Sequence, residues 1–377
     1  MTEIAARVAD GLSAFTPEAW DACAGTANPF VSHAFLSALE DSGSAVARAG
    51  WQPVPIVIDG ADGLPDAILP AYAKSHSQGE YVFDQGWADA WRRAGGEYYP
   101  KLQIAVPFTP VPGPRLLLRR PEAAPALIAA AEALVGQHDL SSAHATFVAP
   151  EQVPLFEAAD WLIRTGSQFH WQNEGYRDFA DFTAALASRK RKAINKERAG
   201  AQAGLEIRIL CGAEIGPAEW DAFWVFYQDT GSRKWGRPYL TRRFFPLLSE
   251  RMGDKVLLIL ACRDGKPIAG ALNLIGADTL YGRYWGCTED VPFLHFELCY
   301  YQAIEQAIAR GLSRVEAGAQ GEHKLARGYR PVPTFSAHYI PNPAFRRAVA
   351  DFLEAERHAM DRQIEMLDEM APFRKDG

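Results

Sequence analysis

One pattern of hydrophobic segments occurs twice in these 377 residues, and few folds accommodate it. In the first half, apolar runs at 55–59 and 67–73 flank a turn containing Gly60 and Gly63, which reads as a β-hairpin. In the second half, runs at 256–262 and 268–275 flank Asp264-Gly265-Lys266 and read the same way. Each hairpin is followed by an aromatic- and glycine-rich stretch, then a segment of helical spacing, then a short strand. The first set is helix 125–138 and strand 142–148; the second is helix 296–310 and strand 314–318. In the second helix Tyr300, Ile304, Ala307 and Ile308 fall on one face, and Gly311 stands where a helix ends. The repetition implies an α/β chain of two related units, each a mixed sheet with helices packed on it, with expected boundaries 1–165 and 166–377.

Between the units a basic helix is expected over 181–199. Asp178 or Asp181 can cap it, Phe182, Leu186 and Ile194 step at helical spacing, and Arg189, Lys190, Arg191, Lys192, Lys196 and Arg198 crowd its far end. A long C-terminal helix is expected over 344–370, with Val349, Phe352, Leu353, Met360, Ile364 and Leu367 in phase. A hydrophobic fraction of 48% against 23% charged residues supplies an ample core for two domains. The net charge of −7 argues against a general nucleic-acid binder, while leaving room for a local basic patch. The five cysteines form no CxxC pair, so neither a disulfide framework nor a metal site is expected. The first residues lack the basic start and apolar core of a signal peptide, and no apolar run is long enough to span a bilayer. A cytoplasmic protein is expected, with peripheral contact at the inner membrane face left open.

Ionisable residues gather in segment 281–330. His295 and Glu297 stand just before a helix; Glu316, Glu322, His323 and Lys324 stand just after a strand. Loops at the carboxyl ends of strands form ligand crevices in α/β sheets. A histidine with a carboxylate can take a proton from an ammonium nucleophile, and backbone N–H groups or Tyr and Lys side chains can stabilise an oxyanion. Each residue also has a structural alternative. Glu297 suits a helix N-terminus by charge, Glu316 could pair with Lys324 or Arg327, and His323 could be a surface histidine.

Two further segments carry charge. Arg189, Lys192 and Lys196 share a helix face by their three-then-four spacing, as a solvated face or as a phosphate-binding one. Segment 74–101 is rich in aromatic and charged residues. There Phe83, Trp87 and Trp91 are expected to pack, and His76, Tyr98 and Lys101 to be free to line a cleft with Glu80 and Asp84. No P-loop, nucleophile elbow, HExxH or GxGxxG motif is present.

Five stretches now point one way: Asn28-Pro29-Phe30-Val31-Ser32-His33; Lys74-Ser75-His76-Ser77-Gln78-Gly79-Glu80-Tyr81-Val82-Phe83-Asp84; Tyr99-Pro100-Lys101; Ser188-Arg189-Lys190-Arg191-Lys192; and His295-Phe296-Glu297 with Gly321-Glu322-His323-Lys324. Together they resemble the bacterial FemAB-like predicted N-acyltransferases over nearly the whole chain. The basic helix, and Phe226-Tyr227-Gln228-Asp229-Thr230 with Arg233, resemble the Fem peptidoglycan aminoacyltransferases more loosely. The resemblance implies two GNAT-like mixed-sheet domains in tandem and acyl transfer to an amine. Ordinary GNAT enzymes hold the coenzyme A pyrophosphate on a glycine-rich loop before a helix; here that place reads Glu289-Asp290-Val291-Pro292-Phe293-Leu294-His295, acidic and without glycine.

The first expectation is therefore transfer of an acyl group from a thioester, acyl-CoA or acyl carrier protein, to a primary amine, with a long-chain amino-lipid among the acceptors. His295 or His323 would be the base, with Glu297 and Glu316 as its partners. Lys324 and Arg330, with Arg189, Lys192 and Lys196, would hold an anionic donor. His76, Glu80, Asp84, Tyr98, Lys101, Tyr284 and Trp285 would line the acceptor side. No metal is expected. A Fem-type transferase using aminoacyl-tRNA is the second reading, disfavoured by the acidic balance. A non-catalytic pair that recognises a ligand is the third.

Overall fold

The structure, a computed structural model, describes residues 5–235, 238–318 and 321–374, with the side chains of 231–235 left out. Ala319, Gln320 and the Arg233 side chain, all within stretches singled out above, thus lie outside the described residues. The chain divides into two compact units. Unit 1 is Met1–Gly166 with Pro333–Arg362; unit 2 is Ser167–Val332 with Gln363–Gly377. Residues 333–362, which a single cut near 165 assigns to the second half, thus return to the first unit.

In unit 1 the hairpin forms from Ile56–Asp59 and Pro65–Leu69, antiparallel with Ile56 opposite Leu69. Pro70 then ends the strand, because it has no N–H to donate to a ladder. The chain resumes as Ala71–Lys74 in a different sheet. There it pairs antiparallel with Lys101–Ile104, which pairs in parallel with Ala143–Val148. The helix Ala124–Gln137 makes the crossover, with Pro125 in its first turn, where proline costs nothing. Its buried Leu127, Ile128, Ala131 and Val135 join Ile56, Leu69, Leu102 and Phe156 in the core. Each large apolar side chain removed from water there contributes roughly 2 kcal/mol.

Unit 2 repeats the plan. Val256–Arg263 and Lys266–Ile275 form the second hairpin, with Val256 opposite Leu274. Thr279–Cys287 pairs antiparallel with the latter and in parallel with Arg314–Glu316. The crossover helix runs from Leu294 to Ala309, and its residues Glu297–Tyr301 make one wider, π-type turn. Such turns concentrate at functional sites. Among the described residues each unit therefore holds one parallel strand pair joined through one helix, which is what the doubled sequence pattern encodes.

The basic stretch differs from expectation. Instead of one helix over 181–199 there are two, Phe179–Ala185 and Ser188–Gln202. The break is tertiary: Leu186 bridges to Phe373, and Ala187 N–H donates to Pro372 O at 2.9 Å. Asp178 caps the first helix through Asp181 N–H at 2.7 Å. The C-terminal helix runs Pro343–Glu369. Among the described residues no helix is long and apolar enough to cross a membrane.

Candidate functional site

In unit 2, alternation along three neighbouring strands sorts side chains onto two faces. Phe169, Trp171, Leu280 and Val315 enter the core. The residues between them, Gln168, His170, Thr279, Tyr281, Arg314 and Glu316, form a polar face. All six except Arg314 are buried. Burying polar groups costs several kcal/mol unless they are paired, so a solvent-poor polar layer over a sheet needs a reason beyond folding.

Glu316 sits at its centre, opposite Tyr281 in the parallel pair and His170 in the antiparallel one. Its Oε1 lies 3.6 Å from Arg314 Nε and 3.8 Å from His170 Nδ1. Its Oε2 is buried with no hydrogen-bond partner among the described residues. Burial pushes the carboxyl up to about 7, against the pull of Arg314 and Arg283. Burial likewise brings His170 down to about 3, so its imidazole is neutral. Lys324, also buried, donates to Gly318 O at 2.9 Å, and burial lowers its amine to about 7. A carboxyl and an amine thus both change charge near neutral pH, the condition for general acid–base work.

The parallel pairing stops at Tyr281–Glu316, while its longer strand continues to Cys287. Tyr284 and Trp285 lie on that continuation, both half-buried. Tyr284 packs edge-on to Tyr227 with ring centroids 5.3 Å apart, and Trp285 meets His295 at 5.2 Å. Trp285, His295 and Phe296 join Glu289 and Asp290 around a cavity of about 390 Å³. His295 and His323 are neighbours, with centroids 6.2 Å apart, and His323 Nε2 is 2.8 Å from Tyr300 Oη.

Glu297 is not placed as a partner for these histidines. It is fully buried, accepts from Arg198 at 3.0 and 3.1 Å, and accepts again from Gln202 at 2.8 Å and Gln302 at 2.7 Å. Its role is to tie the π-type turn to the basic helix. Arg330 is partly exposed, 3.6 Å from Glu174 and 3.8 Å from Asp368. Arg189, Lys192 and Lys196 are exposed and make no ion pair among the described residues.

Unit 1 holds a second polar cluster. Lys74 and Lys101 face each other across two antiparallel strands, both fully buried. Two carboxylates separate their charges. Lys101 donates to Glu80 at 2.8 Å and also binds Asp84, while Lys74 lies 3.9 Å from Glu80 and over the Trp51 ring at 3.7 Å. Tyr98 donates to Asp84 at 2.7 Å; beyond it, His144 lies 3.3 Å away and His338 a further 2.7 Å on. Burial brings Lys74 down to about 7 and lifts Glu80 to about 7. Asp84 resists the same burial because Lys101 and His144 hold it down at about 2. Tyr98 and Lys101 are therefore locked inside a network rather than free to line a cleft. His76 is half-buried, and its Nδ1 accepts from Gln78 N–H at 3.1 Å.

Sequence reasoning took in Tyr281, Arg283 and Arg314 only as members of segment 281–330, without giving them a role, and passed over His170 in unit 2 and His144 and His338 in unit 1. Their signal was alternation: Gln168-Phe169-His170-Trp171-Gln172 places polar residues on every second position of a strand. No group of His, Cys, Asp and Glu side chains suited to a metal ion occurs among the described residues.

Comparison with known proteins adds the following. A family model described as FemAB-like, peptidoglycan biosynthesis/recognition, matches residues 11–375. No curated protein matches the chain. Among solved structures, FemX aligns over 89% of this chain and 98% of its own, with 11% identity and a TM-score of 0.56. The C-terminal domain of a putative lysylphosphatidylglycerol synthetase from Agrobacterium fabrum aligns over 90% and 95%, with 11% identity and a TM-score of 0.53. A tandem GNAT protein from the clavulanic acid biosynthesis pathway covers 90% and 99%, with 13% identity and a TM-score of 0.49.

Proposed function

The chain belongs to the FemAB-like family, and from that membership we propose that it is a transferase moving an acyl group from a thioester, acyl-CoA or acyl carrier protein, to a primary amine. The observation that carries this reading is Glu316: a buried carboxyl titrating near 7, with one oxygen unpaired among the described residues, where a parallel strand pair ends. Deprotonated, Glu316 takes the proton from the acceptor ammonium, and the freed amine attacks the thioester carbonyl. The oxyanion that develops there is met by donors on the continuing strand; as the C–S bond breaks the thiolate takes a proton from Lys324, and the nitrogen's second proton passes to the Lys324 amine, leaving a neutral amide. General base catalysis of this kind contributes roughly 10²–10⁴-fold.

The test is incubation of the purified protein with acyl-CoA and acyl carrier protein donors and a panel of amines, reading thiol release and product mass. Glu316→Gln is expected to lower kcat by about 10²–10⁴-fold with little change in KM. In the wild type kcat/KM should be bell-shaped with its maximum near pH 7, the acid limb set by Glu316 gaining its proton and the alkaline limb by Lys324 losing its own. Thiol release unchanged in Glu316→Gln, or none with any donor, overturns the assignment.

A second reading has specific support. Arg189, Lys192 and Lys196 form an exposed cationic face without ion pairs among the described residues, and Glu289 and Asp290 occupy the loop before the crossover helix, where an anionic pyrophosphate would be repelled. Both features favour an aminoacyl-tRNA donor over coenzyme A. A salt-dependent shift of aminoacyl-tRNA, weakened in Arg189→Ala/Lys192→Ala/Lys196→Ala, would select it.

A further inference from the structure

Unit 1 contains a slot that neither polar cluster uses. Its walls are the helix Gln85–Arg93 and the start of the helix Pro343–Glu369. Two ring contacts fix how these helices run. Trp91 stacks on Phe345 at 4.7 Å, and Trp87 meets Phe352 edge-on at 6.4 Å, so the helices are antiparallel. Gly86, Ala90 and Ala94 then form a row of small residues on one wall, facing Ala344 and Ala348 on the other. Because these positions carry almost no side chain, the helices leave a gap of about 480 Å³ between them.

Three properties define what fits. The gap is lined almost wholly by carbon. Arg164, its only ionisable lining residue, is already engaged: it binds Glu356 at 2.8 and 2.7 Å and donates to Phe83 O at 2.7 Å. A ligand portion inside therefore finds no free charge, and an extended peptide would strand its amides there. The second property is length: the Gly86-to-Ala94 row is about 12 Å long at helical rise, so a partner helix laid along it would make only about two turns of contact. The third is access: Phe83 and Phe352, which line the slot, are 53% and 48% exposed, an unusual exposure for phenylalanine.

We propose that this slot binds a single hydrocarbon chain, the alkyl tail of a fatty acyl group or single-tailed lipid, with its polar head left outside. The site goes beyond the transferase reading and does not depend on it, since occupancy is measurable without turnover.

The experiment is calorimetric titration of the full chain, without donor, with saturated fatty acids of increasing length and the matching alcohols. Kd should fall about threefold to fourfold per added methylene until the slot is full. Acids and alcohols of equal length should differ little, because the slot's own cation, Arg164, is already held by Glu356 and Phe83 O. Ala90→Trp and Ala348→Trp, each placing an indole in the slot, should weaken binding at least tenfold while the far-ultraviolet circular dichroism spectrum stays that of the wild type. Affinity independent of chain length overturns the proposal. So does a strong preference for acids over alcohols, tighter binding of an apolar helical peptide, or undiminished binding in both tryptophan variants. The length series on wild-type protein stands even if a tryptophan variant fails to fold.

Discussion

Two buried carboxylates in unit 2 look alike in the sequence and differ completely in their surroundings. Every lone pair of Glu297 that matters is taken, by Arg198, Gln202 and Gln302. Glu316 has an oxygen with nothing to accept from among the described residues and a carboxyl lifted to about 7. Removing one member of a buried pair costs about 3–5 kcal/mol, because the other charge is left without its partner. Glu297→Ala is therefore expected to lower the urea unfolding free energy by several kcal/mol. The loss should be at the low end of that range, since Arg198 retains Glu305 at 2.7 Å. The paired replacement Arg198→Met/Glu297→Leu should recover most of the loss. A Glu297→Ala protein of wild-type stability would show that the carboxylate is not structural. The sequence could flag both residues as chemistry-bearing types but could not separate them. The groups that decide the matter on Glu297 come from Arg198 and Gln202, on a helix far earlier in the chain.

At the scale of elements, the parts set by local pattern were legible and the parts set by distant contacts were not. Both hairpins, both crossover helices and the C-terminal helix follow from apolar spacing and turn residues. The division of the basic stretch into two helices depends on Pro372 and Phe373, nearly two hundred residues away, so no local signal reports it. Gly286 is another such position. A Cβ built there would lie 2.0 Å from the Phe226 carbonyl oxygen and 2.3 Å from its carbon, in the backbone of the helix Pro217–Trp235. Backbone cannot step aside as a flexible side chain can, so the helix must move off the strand. Gly286→Ala is expected to destabilise unit 2 by about 1–3 kcal/mol and, through Trp285, to disturb the cavity beside His295. Gly265→Ala is a useful contrast: it adds only the strain of a positive φ in an open turn, with nothing within 4 Å. Equal melting of Gly286→Ala and wild type would refute the close approach.

For the whole molecule, the buried titratable groups of both units add up to a pH profile of stability whose shape can be worked out in advance. His144 and His170 are brought to about 3 by burial, and His338 is driven well below its ordinary value for the same reason. As pH falls below 6.5, the unfolded chain takes up these protons and the folded one does not, so each histidine lowers stability by up to about 1.4 kcal/mol per pH unit. Glu40, Glu80 and Glu316 act in the opposite sense, since burial raises each from 4.5 to about 7. Between 7 and 4.5 the folded chain holds protons that the unfolded chain has released, so acidification there favours the fold. Three groups oppose three, and stability should change little across that window. Below 4.5 the glutamates no longer differ between the two states, while the histidines continue to penalise folding. Asp84, held at about 2 against an ordinary 3.8, adds to the loss. Above 7 the sign changes again. Lys74 and Lys324, lowered by burial to about 7 from 10.5, are neutral in the folded chain and charged in the unfolded one. Folding must strip their protons, so stability rises from pH 7 toward 10 as that cost shrinks. Urea titrations across the range should thus give a plateau between pH 4.5 and 7, a steep fall below it and a rise above it. Replacing His170 with Gln should flatten the acidic limb by about one histidine's share. A profile that declines steadily from pH 7 to 5 would mean that the glutamates ionise normally, and with that the argument for Glu316 as a base near neutral pH would fail.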